Sequence, residues 1–505
     1  MEQTFDFVTI ASAIRNIGPE VMLLLVAAGY FVGAIFTQRE EIYARVSVFA
    51  LVVALAALPG AVPDKSVSVT LAGLFRGDEL SLYGRYFAFI VGLLLTLLSW
   101  RRVPEALSAE YYACLLMIVA GTSLVATAND LVSLFLALEL ISIPTYILLY
   151  LPRFNPNVQE ATTKYFLLSV FSSALLLYGF SFLYGAAGTT NLEGIREAIR
   201  ATPDHGLPAT LVVALVMIVS ALGFRVTAAP FHFYAPDVYQ GGPTLGVAIL
   251  ALIPKIAGFV ALYQLVAATL LAHPQYLGQA MGLLWIVALI SMFIGNLFGL
   301  LQDNLKRLLA YSGIAHAGYM LVALGAGLSS AQELNGLGSV FFYLIAYAAM
   351  TLGVFAVIHC LSTEEREIET VDDLAGLGYS HPLVAFATAA FLFSLTGLPP
   401  TLGFWAKLNI FLAAWGAGQE QYRILAILMA INAAIGAWYY LRIIGVMYLR
   451  KPLHPLTTPP RPYGWTVVAV CAFVTLLGFF LPGQLWEWAT QAVTGAMVST
   501  PLPMP

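Results

Sequence analysis

The stretch GFRVTAAPFHFYAPDVYQGGPT, residues 223–244, interrupts a long apolar run with an arginine, three prolines, a histidine and an aspartate. Proline kinks or breaks an α-helix, because it has no backbone N–H and its ring clashes with the preceding turn. Inside a membrane, non-helical backbone is tolerated only where protein or a water-filled cavity surrounds it. The stretch therefore predicts a broken membrane helix that lets water approach the arginine.

The composition around this stretch is that of a polytopic membrane protein. Of the 505 residues, 60% are hydrophobic and 10% are charged, whereas soluble domains carry roughly 25% charged residues. The formal net charge of -4 is spread along the chain, so no basic block indicates a nucleic-acid partner. Cys114, Cys360 and Cys471 lie far apart in apolar runs, which indicates neither a disulfide framework nor a cysteine-rich metal or iron–sulfur site.

Fourteen apolar runs have the length that an α-helix needs to cross roughly 30 Å of hydrocarbon. The alternating pattern of barrel strands is absent from the sequence, so the backbone must satisfy its hydrogen bonds as helices. We therefore expect an all-α polytopic membrane protein with about 14 transmembrane helices, the first of them a retained span without a cleavable leader. The expected spans are 18–36, 42–62, 80–99, 110–127, 129–150, 160–185, 208–229, 243–271, 278–300, 306–327, 336–361, 382–415, 423–449 and 464–482.

Two of these helices are expected to be broken in matching ways. The seventh is interrupted at TAAPFHFYAP (227–236) and the twelfth at SLTGLPPTLGFWAK (394–407). The second break comes five spans after the first, and an odd offset reverses the orientation in the membrane, which predicts two inverted five-helix repeats. Paired broken helices in inverted repeats mark ion paths in secondary transporters. Two ordinary proline kinks are the alternative interpretation.

The repeats divide the chain into four expected parts. Residues 1–109 would hold helices 1–3, residues 110–271 the first repeat (helices 4–8), residues 272–449 the second repeat (helices 9–13), and residues 450–505 helix 14 with a tail. No connection is long enough for a soluble domain, and no P-loop or GxGxxG stands at a strand–helix junction. The energy for any pumping must therefore come from another chain.

The distribution of basic residues predicts the orientation. One set of alternate connections, which includes Arg101, Arg102 and Arg450, carries more Lys and Arg than the other set. Since cytoplasmic connections collect positive charge, we expect this side to be cytoplasmic and both termini to face outward.

Six ionisable groups in or beside the apolar runs form the candidate site. A charged side chain at the bilayer centre costs at least about 2.5 kcal/mol and is a functional candidate by default. Glu139 and Lys255 fall near the middle of their spans, and Arg225 stands directly before the first break. The candidates are Glu139, Lys164, Arg225, Lys255, His316 and Lys407.

Several of these groups also have a structural interpretation. Glu139 could bond neighbouring helices, and Lys164 could extend to the membrane interface. Arg225 could be an interface anchor. His316 could be a hydrogen-bonded core residue, and Lys407 could cap the carbonyls of the broken twelfth helix.

Four further polar residues are expected to play supporting roles. We interpret Lys306 and Arg307 as interface anchors on the positive side. His232 and Asp237 belong to the first broken segment, where we expect them to bind exposed backbone groups and line a water path.

Buried lysines suit proton movement. Desolvation can lower a lysine pKa by up to about 3–5 units, and a like charge at about 4 Å adds about 4 kcal/mol at an effective dielectric near 20. Imidazole both gives and takes a proton near neutral pH. Arginine keeps its proton, so Arg225 would be a fixed counter-charge. When Arg225 is paired with Glu139, its charge is neutralised. When the pair opens, the charge of Arg225 acts on Lys255.

Five stretches carry a family resemblance, and the match extends from roughly residue 18 to residue 482. Together they resemble the antiporter-like membrane subunits of respiratory complex I, and PDVYQG with a lysine in the twelfth span favours the subunit N branch of bacterial NADH-quinone oxidoreductases. The stretches are ALELISIPTYIL (137–148), TKYFLLSVFSSALLLYG (163–179), GFRVTAAPFHFYAPDVYQGGPT (223–244), KRLLAYSGIAHAGYMLVAL (306–324) and SLTGLPPTLGFWAKLNIF (394–411).

The resemblance implies proton translocation along a central line of charged residues, driven by quinone reduction in other subunits. By position, Glu139 matches the family's fifth-helix glutamate, Lys255 its eighth-helix lysine and Lys407 its twelfth-helix lysine. Lys164 and His316 match the sixth-helix lysine and the tenth-helix histidine.

The resemblance has one departure and several implications for partners. Arg225 stands where the family usually has a lysine, so a scheme in which this residue itself loses a proton is in doubt. FMN, iron–sulfur clusters and quinone are implied for partner subunits, with none on this chain. Other membrane-arm subunits, and indirectly the hydrophilic quinone-reducing arm, are the implied partners in a bacterial inner membrane.

Two other functions remain open at this point. A subunit of a multisubunit sodium/proton antiporter would share the broken helices and buried lysines, but would work without electron donors. An independent carrier of small organic anions would need substrate-sized polar clusters, which the sequence does not indicate. Copurification with flavin and iron–sulfur subunits would separate the first alternative from complex I.

Overall fold

The computed structural model describes residues 16–61, 74–151, 156–201, 209–270, 277–329, 335–363, 366–452 and 461–498. Within these ranges the chain forms nineteen α-helices and a few short 3₁₀ turns, with no extended strand. Residues 1–15, on which the expectation of a retained first span partly rests, lie outside the described residues, as does most of the connection 63–79.

The helices follow the predicted order along the chain. The N-terminal helices are α1 (Gly18–Gly33), α2 (Glu40–Ala57) and α3 (Glu79–Ser99). The next group is α4 (Ser108–Thr127), α5 (Leu131–Tyr150), α6 (Pro156–Ala187), α7 (Leu192–Arg200), α8 (Ala209–Arg225), α9 (Tyr234–Gly241) and α10 (Thr244–Thr269).

The second half of the chain continues in the same way. It contains α11 (Leu277–Leu300), α12 (Leu305–Ser329), α13 (Asn335–Leu361), α14 (Leu377–Ser380), α15 (Pro382–Thr396), α16 (Leu402–Gly416) and α17 (Glu420–Leu449). The last two helices are α18 (Pro462–Phe480) and α19 (Pro482–Val498).

The expected membrane spans are found. In the described ranges, eleven helices are long and apolar enough to cross a membrane, and three shorter apolar helices, α1, α8 and α15, lie at the first, seventh and twelfth predicted spans. The chain is therefore a multi-pass membrane protein of the expected all-α class. The exact division into four parts remains a prediction.

Both broken helices end where the prolines predict. Helix α8 ends at Arg225 and α9 begins at Tyr234, while α15 ends at Thr396 and α16 begins at Leu402. Gly397 terminates α15 with a φ of +87°, a left-handed conformation that glycine adopts without steric cost. In both breaks, the peptide bond before a proline, Pro230 or Pro400, is cis.

Four α-helices lie outside the predicted spans: α7, α9, α14 and α19. Helix α7 is amphipathic, with Leu192, Ile195 and Ile199 buried and the Asn191 side chain accepting hydrogen bonds from the first turn. Helix α19 lies in what we expected to be a tail, and it packs on α3 and α13. Its Trp488 ring lies 4.8 Å from the ring of Tyr83.

The centre of the bundle is formed by α10, α12 and α13. In each of these helices, 94% of the residues in the apolar membrane-spanning stretch are buried inside the chain, compared with 33% in α18. Lys255 lies on α10 and His316 on α12, so two of the candidate residues occupy the most enclosed part of the protein.

Candidate functional site

Glu139 on α5 and Arg225 at the end of α8 form a largely buried ion pair. Arg225 Nη2 lies 2.8 Å from Glu139 Oε1, which also accepts a hydrogen bond of 2.5 Å from Ser173 on α6. Arg225 Nη1 donates to Ser142 Oγ at 2.6 Å and to the Leu138 carbonyl at 3.2 Å. The sequence paired these two charges, and the structure brings them together.

The pair lies next to the helix that carries Lys255. Helix α10 passes the end of α8 at Gly258, where an added Cβ would stand 2.6 Å from Val226 Cγ1 and 3.4 Å from Arg225 Cβ. Only glycine fits this approach without displacing Val226. Since Gly258 is three residues from Lys255, the backbone of Lys255 lies about one helical turn along α10 from this contact.

Lys255 is almost completely buried, with 1% of its surface exposed. Its Nζ has no hydrogen-bond partner among the described residues. It lies 5.8 Å from the centroid of the Tyr347 ring, and a Cβ added at Gly313 on α12 would stand 3.1 Å from it. An ammonium has three donors, so water is the natural partner for this group when it is charged.

His316 on α12 is held by two tyrosines. Its Nδ1 lies 2.5 Å from the Tyr343 hydroxyl and its Nε2 lies 3.2 Å from the Tyr440 hydroxyl. Tyr440 in turn shares a hydrogen bond with Ser312. Both ring nitrogens are thus hydrogen-bonded, as the core interpretation predicted, but to hydroxyl groups that can pass as well as hold a proton.

Lys407 on α16 caps the end of the broken twelfth helix. Its Nζ donates hydrogen bonds of 2.8 Å to the carbonyls of Leu395 and Thr396, the last residues of α15. These carbonyls have no partner within their own helix. The geometry therefore agrees with the capping interpretation. Lys407 is also buried, with 8% of its surface exposed.

Aromatic rings connect these three groups. The centroid of the Tyr347 ring lies 5.5 Å from the centroid of the His316 ring, and the centroid of the Tyr319 ring lies 5.6 Å from the centroid of the His316 ring. Tyr319 is also 5.0 Å from Lys407 Nζ. We call the series Lys255, Tyr347, His316, Tyr319 and Lys407 the central row; each neighbouring pair is separated by less than 6 Å.

Lys164 does not join the central row. Its side chain is 42% exposed and pairs with Glu160 at 2.7 Å and with Asp237 at 2.9 Å. Both residues line a surface cavity of about 280 Å³. The structure thus favours the interface interpretation of Lys164.

Two of the supporting roles expected from the sequence were wrong. Lys306 is buried and donates a 2.9 Å hydrogen bond to the Gly242 carbonyl, because α9 and α12 pack together, so it is not an interface anchor. Asp237 binds Lys164 and Arg307 rather than exposed backbone. His232 is buried in the broken segment, close to the backbone of Pro230, and its Nδ1 has no hydrogen-bond partner among the described residues. Its expected bond to exposed backbone stays a prediction.

The environment of Asp237 favours its charged form. Partial burial acts to raise the pKa of this carboxyl, but hydrogen bonds from Lys164 and Arg307 outweigh that effect and hold the pKa below its usual value. The cluster on α6, α9 and α12 is therefore ionised near neutral pH.

Comparison with known proteins identifies the family. The family described as NADH:quinone oxidoreductase/Mrp antiporter, TM, matches residues 128–435. NADH-quinone oxidoreductase subunit N of Rhodospirillum rubrum is 33% identical over 479 residues, which is 94% of this chain and 96% of the relative. The chain belongs to the subunit N family. The protein of the same name from Trichlorobacter lovleyi is 37% identical over 427 residues, covering 82% and 84% of the two chains.

Solved structures agree with membership of the subunit N family. A chain of respiratory complex I from Thermus thermophilus is 30% identical with a TM-score of 0.76, over 94% of this chain and 99% of that chain. A chain of the Mrp complex from Dietzia sp. DQ12-45-1b has a TM-score of 0.79 at 20% identity, over 96% and 98%. The second likeness shows the fold alone. The resemblance and the fold class predicted from the sequence are confirmed.

One buried ion pair of this subunit N family member was missed by the sequence analysis. Arg85 on α3 donates to both carboxylate oxygens of Glu20 on α1, at 2.8 and 2.9 Å, and Ser123 on α4 donates to the same carboxylate. Arg85 and Glu20 are at most 1% exposed. An arginine six residues into an apolar helix is the signal that could have revealed the pair.

Proposed function

We propose that this chain moves protons through the membrane arm of an NADH-quinone oxidoreductase of the complex I type, coupled to quinone reduction in other subunits. The observation that carries the proposal is the central row, in which two buried lysines flank a buried histidine and tyrosine rings lie between them. Lysine, histidine and tyrosine side chains all exchange protons, and few other side chains in this region do. Family membership supports the same function.

The proposed switch is the ion pair of Glu139 and Arg225. When the pair is closed, the guanidinium charge is neutralised by the carboxylate at 2.8 Å. When it opens, the fixed positive charge acts on Lys255, because Gly258 allows α10 to lie against Arg225. The proton of Lys255 is then expelled by like-charge repulsion. Buried ion pairs contribute little net stability, which suits a switching role.

The expelled proton passes along the row. The ammonium of Lys255 becomes an amine, His316 accepts the proton through water or the Tyr347 hydroxyl, and the amine of Lys407 receives it from His316. Lys407 then releases the proton to water on the periplasmic side and is again an amine, and the amine of Lys255 takes up a proton from water on the cytoplasmic side. Lys164, on the surface cavity with Asp237, would collect protons from solvent rather than carry them through the core.

The remaining parts of the proposal concern the complex. As a component of NADH:quinone oxidoreductase this chain would act as a proton translocase without a redox centre, and FMN, iron–sulfur clusters and quinone would belong to partner subunits. Its partners would be other membrane-arm subunits, in a bacterial inner membrane with both chain termini in the periplasm. The three cysteines are buried and form no disulfide. Within the described ranges, no group of three or more His, Cys, Asp or Glu side chains is arranged to hold a metal ion.

Purification through a tag on this chain tests the assignment. We expect flavin and iron–sulfur subunits to copurify, and vesicles containing the complex to become acidic inside when NADH and a quinone are supplied. Isolation with antiporter subunits alone, without any flavin or iron–sulfur protein, would favour the sodium/proton antiporter. The family description that matches residues 128–435 also names the Mrp antiporter, and this is the observation behind that second candidate.

A further inference from the structure

A second cavity, of about 390 Å³, lies where three helices end. It is bounded by the turn after α3, the first turn of α10 and the end of α13. No member of the central row lines it. Its polar lining includes Arg101, Arg102, Thr244, His359, Ser362 and Glu367.

The imidazole of His359, which lines this cavity, is buried and has one nitrogen without a hydrogen-bond partner among the described residues. The residue is 7% exposed, and its Nε2 has no hydrogen-bond partner among the described residues. A buried polar atom without a partner is unfavourable, and native proteins rarely leave one unsatisfied. Since His359 lines the cavity, a ligand there can supply the missing hydrogen bond.

The cavity also receives the N-terminus of a long helix. Helix α10 runs for 26 residues from Thr244, and no side chain caps its first turn. Thr244 and Leu245 both line the cavity. The first N–H groups of a helix lack intrahelical partners and carry a partial positive charge, a combination that binds anions.

Two arginines add formal positive charge. Arg101 and Arg102 follow α3 in a tight turn, in which Arg101 has a φ of +62° and donates its backbone N–H to the carboxylate of Glu40 at 2.5 Å. Glu40 is 6% exposed, so a buried group fixes the turn. The Arg101 side chain also pairs with Glu41 at 2.9 Å, and Glu367 is the acidic residue in the lining.

The carbonyls at the end of α13 do not oppose this positive charge. Arg461 donates hydrogen bonds to the carbonyls of His359 and Ser362, the latter at 2.6 Å. The guanidinium group therefore neutralises the negative end of α13 beside the cavity. The cavity is therefore lined by the N–H groups at the start of α10, by His359 and by the two arginines.

We propose that this cavity binds the phosphate group of an anionic phospholipid headgroup. The cavity lies at helix ends, the level at which headgroups are found, and Trp100 stacks on Tyr463 at 4.3 Å beside Arg101. Tryptophan and tyrosine concentrate at this level of membrane proteins. Basic pockets between membrane helices on the cytoplasmic side bind phosphorylated headgroups, and this turn belongs to the more basic set of connections. The phosphate accepts from His359 Nε2, the N-terminus of α10 and the arginines.

The test measures lipid binding to the full-length chain in detergent by native mass spectrometry. The probes are dioctanoyl phosphatidylglycerol, dioctanoyl phosphatidylcholine and inorganic phosphate. We expect phosphatidylglycerol to bind in preference to phosphatidylcholine, and His359→Leu and Arg102→Gln each to raise its Kd about tenfold, which corresponds to about 1.4 kcal/mol. Arg45→Gln is the matched control, because this arginine is 65% exposed and lies outside the cavity; its Kd should stay within about twofold.

A second variant separates loss of the donor from loss of folding. His359→Gln keeps a side-chain N–H, so binding should recover to within about threefold of the original chain, a difference below 1.4 kcal/mol. Equal binding of the two lipids, or a Kd unchanged by both His359→Leu and Arg102→Gln, would overturn the proposal. Displacement of the lipid by inorganic phosphate at the same concentration would assign the cavity to a free anion and would overturn the lipid headgroup.

Discussion

The Nζ of Lys255 lies 3.1 Å from the point where a Cβ of Gly313 would stand. The two residues belong to α10 and α12, two of the three most enclosed helices among the described residues. The absence of a side chain at Gly313 therefore leaves space beside the ammonium, and the Tyr347 hydroxyl lies 3.2 Å from the same point.

This relationship predicts the effect of Gly313→Ala. The added methyl group should displace Lys255 Nζ or Tyr347 and reduce NADH-driven proton pumping several-fold, while the complex still assembles, because alanine favours a helix by about 1 kcal/mol over glycine. The measurement is vesicle acidification per quinone reduced. Gly282→Ala, at a glycine with nothing within 4 Å of the added Cβ, should leave pumping unchanged. Equal pumping in the two variants would show that the space beside Lys255 is unimportant.

The ion pair of Glu139 and Arg225 predicts a charge requirement. Arg225→Lys should retain most pumping, because a lysine preserves the positive charge that the switch needs. Arg225→Ala should lose pumping and lower the free energy of unfolding by about 3–5 kcal/mol, since it leaves a largely buried carboxylate unpaired. The double variant Arg225→Ala with Glu139→Gln should recover stability but not pumping. Similar pumping in Arg225→Lys and Arg225→Ala would contradict the switch.

The position of Lys407 allows its two roles to be separated. Lys407→Arg keeps a cation that can cap the carbonyls of Leu395 and Thr396, but arginine does not release its proton. We expect an assembled complex with a normal content of this chain and a loss of proton pumping of at least about a hundredfold, the lower end of what general acid–base groups contribute. Full pumping in Lys407→Arg would leave Lys407 with the capping role alone.

The cluster around Asp237 predicts a pH dependence of stability. Its folded-state pKa is held low by Lys164 and Arg307, so its stabilisation is fully present above the unfolded value of about 3.9 and is lost as the pH falls through the folded pKa. Asp237→Asn should therefore lower the thermal unfolding temperature by a constant amount between about pH 5 and pH 8, and by less at lower pH.

The control for this experiment is a more exposed carboxylate. Asp303 pairs with Arg442 at 3.3 Å, but its side chain is 90% exposed, so Asp303→Asn should change the unfolding temperature little. The unfolding temperatures of Asp237→Asn and the original chain should approach each other as the pH falls below about 4. If they move further apart instead, the proposed stabilisation by this cluster is contradicted.

Sequence reasoning located the features that depend on local chemistry. Span lengths follow from apolar runs, and both breaks follow from proline, so the ends of α8 and α15 fell where expected. Glu139 and Arg225 could be paired because two buried opposite charges have few other partners. Each of these conclusions follows either from the composition of a single segment or from the need to pair a buried charge with an opposite one.

Features that depend on packing between helices could not be obtained in this way. Tyr347 and Tyr319 carry no charge in an apolar run, and their place between Lys255, His316 and Lys407 depends on how α12, α13 and α16 are rotated. Lys164 and Lys306 have similar polar neighbours in sequence. One is exposed and the other is buried, because α9 packs against the flank of α6 and covers the start of α12.

The most direct test of the central row is Lys255→Ala in the intact complex, reconstituted into vesicles. Acidification of the vesicle interior and quinone reduction are recorded together, and the content of this chain is checked against the original complex. If the row carries protons, pumping per quinone reduced falls to a small fraction of the original value. Undiminished pumping in a fully assembled Lys255→Ala complex would contradict the account.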